Sequence, residues 1–168
     1  MYSRILVALD GSPLAESILA EVQRMAAGSD CQVRLLSVKE LPPPVEATTE
    51  EDERLLMLGT APAIVTSPAT HETRDQAIDS IRDEAMEYLD EKAAPLRAVG
   101  INVSCEVHFG APAEVIKQVA RDEDFELIAM ATHGRSGLKR LIFGSVASQV
   151  VEHAGKPVLV VRPEHLEG

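Results

Sequence analysis

The chain has 168 residues, 45% of them hydrophobic and only 3% aromatic, so a single domain has a substantial core to build and must build it from Leu, Ile, Val and Ala. A formal net charge of −11 works against non-specific binding to nucleic acid or to an anionic membrane surface. No apolar run approaches the roughly 18 residues that a membrane span requires.

Ile5 to Leu9 is a short, wholly apolar run, the pattern of a central parallel strand covered on both faces. Ser12 and Pro13 follow as N-cap and first helical residue. Leu14, Ile18, Val22 and Met25 then form one stripe of an amphipathic helix that Gly28 ends. Cys31 to Val38 reads as a second strand. Residues 40 to about 70, with Leu41-Pro42-Pro43-Pro44 and the acidic Glu50-Glu51-Asp52-Glu53, have little periodicity. They read as a long insertion within one domain spanning 1–168, either a flexible lid near a ligand or a solvated excursion.

A long helix is expected next, burying Ile78, Ile81, Ala85, Leu89 and Leu96, closed by Gly100 and kinked or ended early by Pro95. Ile101 to Phe109 reads as a third strand nearer an edge. Ala113 to Arg121 is a helix, Phe125 to Met130 a fourth strand, and Ser145 to His153 a helix. Gly155-Lys156-Pro157 turns into a last strand, Val158 to Val161. Strands alternating with helices imply right-handed βαβ units and an open parallel sheet. Ligands of such sheets sit beyond the carboxyl ends of the strands, where strand order reverses. If the first and fourth strands are neighbours there, Asp10 and the segment Ala131 to Gly134 face one crevice.

That segment carries the chemistry. Ala131-Thr132-His133-Gly134 is followed, nine residues later, by Gly144-Ser145-Val146-Ala147. Glycines at 134 and 144 allow a turn and a close backbone approach, and Gly144-Ser145 opens a helix whose free N–H groups favour an anion. The chain has 27 Asp and Glu, yet none lies between Glu126 and Glu152, where Arg135, Lys139 and Arg140 cluster. Other chemistries fail on spacing. The chain has no Gly-rich loop ending in Gly-Lys-Ser/Thr, no G-x-G-x-x-G after the first strand, and only a shortened Gly134-Arg135-Ser136-Gly137 where a nucleophile elbow needs G-x-S-x-G. Cys31 and Cys105, far apart and without metal-type spacing, read as small buried hydrophobes of a cytoplasmic protein. No signal peptide precedes the first strand.

The segments Val7-Ala8-Leu9-Asp10-Gly11-Ser12, Thr132-His133-Gly134-Arg135-Ser136-Gly137-Leu138, Gly144-Ser145-Val146-Ala147 and Lys156-Pro157-Val158-Leu159-Val160-Val161 together resemble the universal stress protein family. The resemblance is dense over 1–40 and 101–163. It implies an α/β fold: an open five-stranded parallel sheet with helices on both faces, Rossmann-like and adenine nucleotide alpha-hydrolase-like. For the nucleotide-binding branch it implies a cradle for ATP or another adenine nucleotide. Ala8, Leu9 and Asp10 would lie beside the adenosine, with Asp10 near the ribose, and Val38 would offer backbone groups to the adenine edge. Met130 and Ala131 would flank sugar and phosphates. His133, Gly134, Gly144, Ser145, Val146 and Ala147 would meet phosphate oxygens, with Mg²⁺ bridging the phosphates. The resemblance also implies a homodimer through the strand Val158–Val161.

One residue departs from the branch's pattern: Ala131 stands where its first glycine is expected. If that position needs φ > 0, alanine is strained by roughly 1 kcal/mol or more; otherwise its methyl only narrows the room beside the phosphates. Each site residue also has a purely structural role open to it: Asp10 can bond the loop to Ser12, His133 can be a turn residue, Ser145 can be only an N-cap. Three functions are therefore carried forward: a regulatory, stress-response module that holds ATP, a slow ATPase, and a nucleotide-independent dimeric interaction protein.

Overall fold

A computed structural model describes residues 2–42, 68–132 and 144–162. The chain divides into two compact units, Met1–Glu40 with Glu84–Gly168, and Leu41–Asp83. The insertion expected at about 40–70, with its short acidic stretch, lies mostly outside the described residues. In the second unit the described chain is helical from Pro68, with Arg82 and Asp79 paired at 3.0 Å. The sheet, its core and the cleft belong to the first unit.

The first unit is built on β1 (Arg4–Ala8), β2 (Gln32–Lys39), β3 (Asn102–Phe109), β4 (Leu127–Ala131) and β5 (Val158–Val161), all parallel, in the order β3-β2-β1-β4-β5. β1 is central, and its Ile5, Leu6 and Val7 are at most 1% exposed, which is why its sequence is apolar from Ile5 to Ala8. Alternate residues feed two different layers. Ile5 and Val7 pack with Ile18, Val22, Leu89 and Leu96, whereas Leu6 packs with Ile116, Val119, Phe125 and Val150. The chain thus places α1 (Pro13–Glu16), α2 (Ile18–Ala26) and the described part of α3 (Pro68–Ala98) that belongs to this unit on one face. On the other lie α4 (Pro112–Asp122) and α5 (Ser145–His153). After β3 the chain crosses to the opposite side of β1, so order reverses between β1 and β4.

Two local expectations change. The first helix is interrupted at Ser17: its N–H donates to Leu14 O at 3.1 Å and its hydroxyl to the same carbonyl at 2.7 Å. This i→i−3 tightening divides α1 from α2. The long helix does not end at Pro95 but runs to Ala98. Pro95 is exposed, and although it lacks the N–H that a residue there would donate to the Glu91 carbonyl, the helix continues through it. The helix closes where expected, with Gly100 at φ +86 and Ile101 N–H donating to Leu96 O at 3.1 Å. Of the expected buried face, Ala85, Leu89 and Leu96 are buried, while Ile78 and Ile81 are half-buried.

Candidate nucleotide cleft

β1 ends in Ala8, followed by Leu9 and Asp10. Its pairing with β2 stops at Ala8↔Leu36, and with β4 at Val7↔Ala129. Leu9 N–H donates to Leu36 O at 2.9 Å, so Leu36 turns its backbone groups toward β1. Val38, two residues on, does the same at a level where β1 has already left the sheet. Ala131, two residues beyond Ala129, likewise faces the β1 side above the last β1–β4 pair. The topology therefore leaves backbone groups of Val38 and Ala131 facing a gap at the switch point.

A cleft of about 290 Å³ opens there, close to the lower end of the range for ligand pockets. Ala8, Leu9, Asp10, Val38, Met130, Ala131, Gly144, Ser145, Val146 and Ala147 all line it. Of the residues implied by the resemblance, His133 and Gly134 lie outside the described residues, as do Arg135, Lys139 and Arg140. Lining residues that the sequence reading passed over are Leu14, Ala15, Leu36, Pro112, Ile116 and Thr132. Period-2 alternation from Val38 points to Leu36, and the helical spacing of α4 points to Ile116. Thr132 stood inside the motif without a role.

Asp10 is exposed, and its Oδ1 accepts the Ser12 N–H at 2.8 Å; Ser12 Oγ in turn accepts the Ala15 N–H at 3.1 Å, the expected N-cap. The local bond of Asp10 is thus real, and it leaves acceptor capacity on the carboxylate for a ligand. Among the described lining residues Asp10 is the one ionisable side chain. Behind it, burial pushes the Tyr88 hydroxyl well above the ordinary phenol range, with the Glu16 and Asp10 carboxylates adding to the shift. Tyr88 is protonated at any physiological pH.

Ala131 lies in β4, half-buried, opposite Val161. Among the described residues the one non-glycine with positive φ is Asp124, at +52. Ala131 is therefore unstrained, and its methyl costs only space. Gly144 is also not left-handed: it is the N-cap of α5 at φ −59, ψ 160, and an added Cβ would meet Thr132 Oγ1 at an ordinary 3.7 Å. Ser145 is consequently the first residue of α5 and not its cap. Among the described residues no side chain caps this helix, so the N–H groups of Ser145, Val146 and Ala147 open the helix without intrahelical acceptors. They do so beside the cleft.

Among the described residues no group of three or more His, Cys, Asp and Glu could hold a metal ion, and no helix is long and apolar enough to cross a membrane. Cys31 is buried and Cys105 half-buried, both free thiols. Burial, with help from Asp90, pushes the Cys105 thiol up to about 11.

Comparison with known proteins agrees with this architecture. Universal stress protein MJ0577 of Methanocaldococcus jannaschii is 30% identical over 162 residues, 96% of each chain. A solved structure of MJ0577 superposes with a TM-score of 0.72 at 27% identity, covering 98% of this chain and 99% of that one. Two more distant structures share the fold and hold nucleotides. An Arabidopsis thaliana family member with AMP bound has a TM-score of 0.57 at 18% identity, covering 96% and 92% of the two chains. The Archaeoglobus fulgidus universal stress protein with dAMP has a TM-score of 0.56 at 22% identity, covering 95% and 98%. The model of the universal stress protein family matches residues 1–61 and 59–162, and the chain belongs to that family.

Proposed function

We propose that this protein holds an adenine nucleotide, ATP with Mg²⁺, as a regulatory stress-response module rather than an efficient enzyme. The observation that carries the reading is the N-terminus of α5, uncapped by any side chain among the described residues, beside a largely apolar cleft. Its N–H groups and dipole suit an anion, while Leu36, Val38 and Ile116 offer apolar surface for a base. Val38 and Ala131 add backbone donors and acceptors that β1 does not use. AMP and dAMP bound to proteins of this fold support the adenine assignment. With Asp10 the one carboxylate among the described lining residues, Mg²⁺ would be held chiefly by phosphate oxygens and water. Beyond Asp10 and His133 the site motifs offer no general base or water-orienting residue, which favours holding over turnover, since phosphoryl transfer to water needs a group that orients the attacking molecule.

The direct test is the thermal midpoint of nucleotide-stripped protein with and without millimolar Mg²⁺–ATP, together with a phosphate-release assay. At about 100 times its dissociation constant, ATP should add roughly 2.7 kcal/mol, a rise of several degrees, without phosphate release. Release in step with binding would make the protein a slow ATPase. No shift would leave the nucleotide-independent interaction protein.

The protein acts as a homodimer in this reading. Among the described residues β5 pairs only with β4. Ile128 N–H donates to Pro157 O, and Thr132 N–H to Val161 O, each at 3.0 Å, so alternation turns the backbone groups of Val158 and Val160 outward. A second copy can pair with them across a two-fold axis. Val160→Pro removes an outward N–H without breaking a β4 bond, the one setting in which a strand tolerates proline. Sedimentation should show a dimer for the parent and a monomer for this variant; an unchanged dimer would place the interface elsewhere.

A further inference from the structure

We propose that Thr132 is a positioning residue of the nucleotide site, acting through the start of α5. The inference rests on the nucleotide reading above and assigns a role to a residue outside the expected phosphate contacts. Thr132 is one of two buried polar side chains among the described residues, at 3% exposure. Its main-chain N–H is committed to Val161 O at 3.0 Å, which ties it to the end of the β4–β5 ladder. Its Oγ1 accepts the Gly144 N–H at 3.0 Å, across twelve residues of sequence.

This bond joins the end of β4 to the N-cap of α5. Gly144 has no side chain with which to fix its own helix, and no other side chain among the described residues caps it. Its carbonyl receives the first helical bond, from Ser148 N–H at 2.9 Å. The threonine hydroxyl is thus, among the described residues, the side-chain anchor for the residue from which the donors of Ser145, Val146 and Ala147 follow. A β-branched side chain at a strand end has few rotamers, so the anchor is stiff. Oxyanion-type recognition depends on donors held in place before the anion arrives. The consequence falls on the phosphate end of the ligand and spares the adenosine end, which β1, β2 and α4 define.

The experiment is calorimetric titration of ATP and of adenosine into the parent, Thr132→Ser and Thr132→Val, with amide exchange of the nucleotide-free proteins. Valine keeps the β-branched shape and loses the hydroxyl; serine keeps the hydroxyl. Thr132→Val should bind ATP about tenfold more weakly, the size of one hydrogen bond, with adenosine affinity unchanged. Exchange at Gly144 should speed up, and Thr132→Ser should match the parent. Unchanged ATP affinity in Thr132→Val overturns the proposal. So does an equal loss for ATP and adenosine, which would mark a general packing role. A loss for ATP with Gly144 exchange unaltered would make Thr132 a direct ligand contact and not an anchor. If the parent itself binds neither ligand, the nucleotide reading fails, an outcome distinct from all of these.

Discussion

Ser145→Pro is expected to weaken Mg²⁺–ATP binding by about 10- to 100-fold while leaving the empty protein folded. The substitution exploits an asymmetry in helix construction. Ser145 is the first residue of α5, where proline is favoured because the missing N–H has no intrahelical acceptor and the ring's φ suits a helix. The residue before a proline must be extended, and Gly144 already is, at φ −59 and ψ 160. Among the described residues nothing therefore resists the change. What disappears is one donor of the cradle, and the ring occupies the place where its proton pointed. A hydrogen bond to a charged group is worth about 1.5–3 kcal/mol, which sets the range of the loss. Adenosine, lacking phosphates, should bind as before. If calorimetry gave the variant full ATP affinity, the α5 N-terminus would not hold the phosphates, and the reading would lose the observation that carries it.

The contrast between what this sequence disclosed and what it hid has a physical basis. Strands buried on both faces admit almost no polar residue, so β1 and β4 were visible as unbroken apolar runs. Hydroxyl and proline at Ser12 and Pro13 announced a helix start because each acts locally. Ser17 gave no signal and Pro95 misled for the complementary reason. Whether a serine tightens a turn depends on which carbonyl its hydroxyl reaches, and whether a proline stops a helix is not set by the proline alone. Pro95 is exposed, and the helix continues through it.

The cleft was legible in its composition more than in its geometry. Motif spacing brought β1, β2, β4 and α5 to one place, but it misassigned the reasons. Gly144 sits at an ordinary φ and not in a left-handed backbone. Ala131 carries no backbone strain because strand pairing holds it extended. The unpaired edges of Val38 and Ala131 could not be inferred at all without knowing where β1 stops pairing with each neighbour, since one residue of register moves those groups to the other side.

Phe125→Ala should lower stability by about 3–5 kcal/mol, the usual cost of deleting a buried aromatic ring, or about 10 °C in midpoint for a chain of this length. Phe125 is 2% exposed and belongs to the core layer of Leu6, Ile116, Ile128 and Val150. Its ring also faces two guanidinium groups, Arg4 at 4.9 Å and Arg34 at 5.3 Å. Arg34 is itself held by Glu106 at 2.8 Å and Glu123 at 2.5 Å, so its carboxylate partners keep it over the ring rather than in solvent. Deleting the ring thus opens a cavity and uncovers one side of a charge network. Phe125→Leu separates these effects, because leucine keeps most of the volume and none of the π face. It should cost about 1–2 kcal/mol, near the sum of a shape mismatch and a partly exposed cation–π contact. Thermal unfolding of both variants decides the matter: a leucine variant as damaged as the alanine one would mean that the ring's hold on the arginines, and not its bulk, secures this end of the sheet. ATP affinity measured below either midpoint should equal the parent's, since Phe125 precedes β4 at the amino end of its strand and the cleft lies beyond the carboxyl ends.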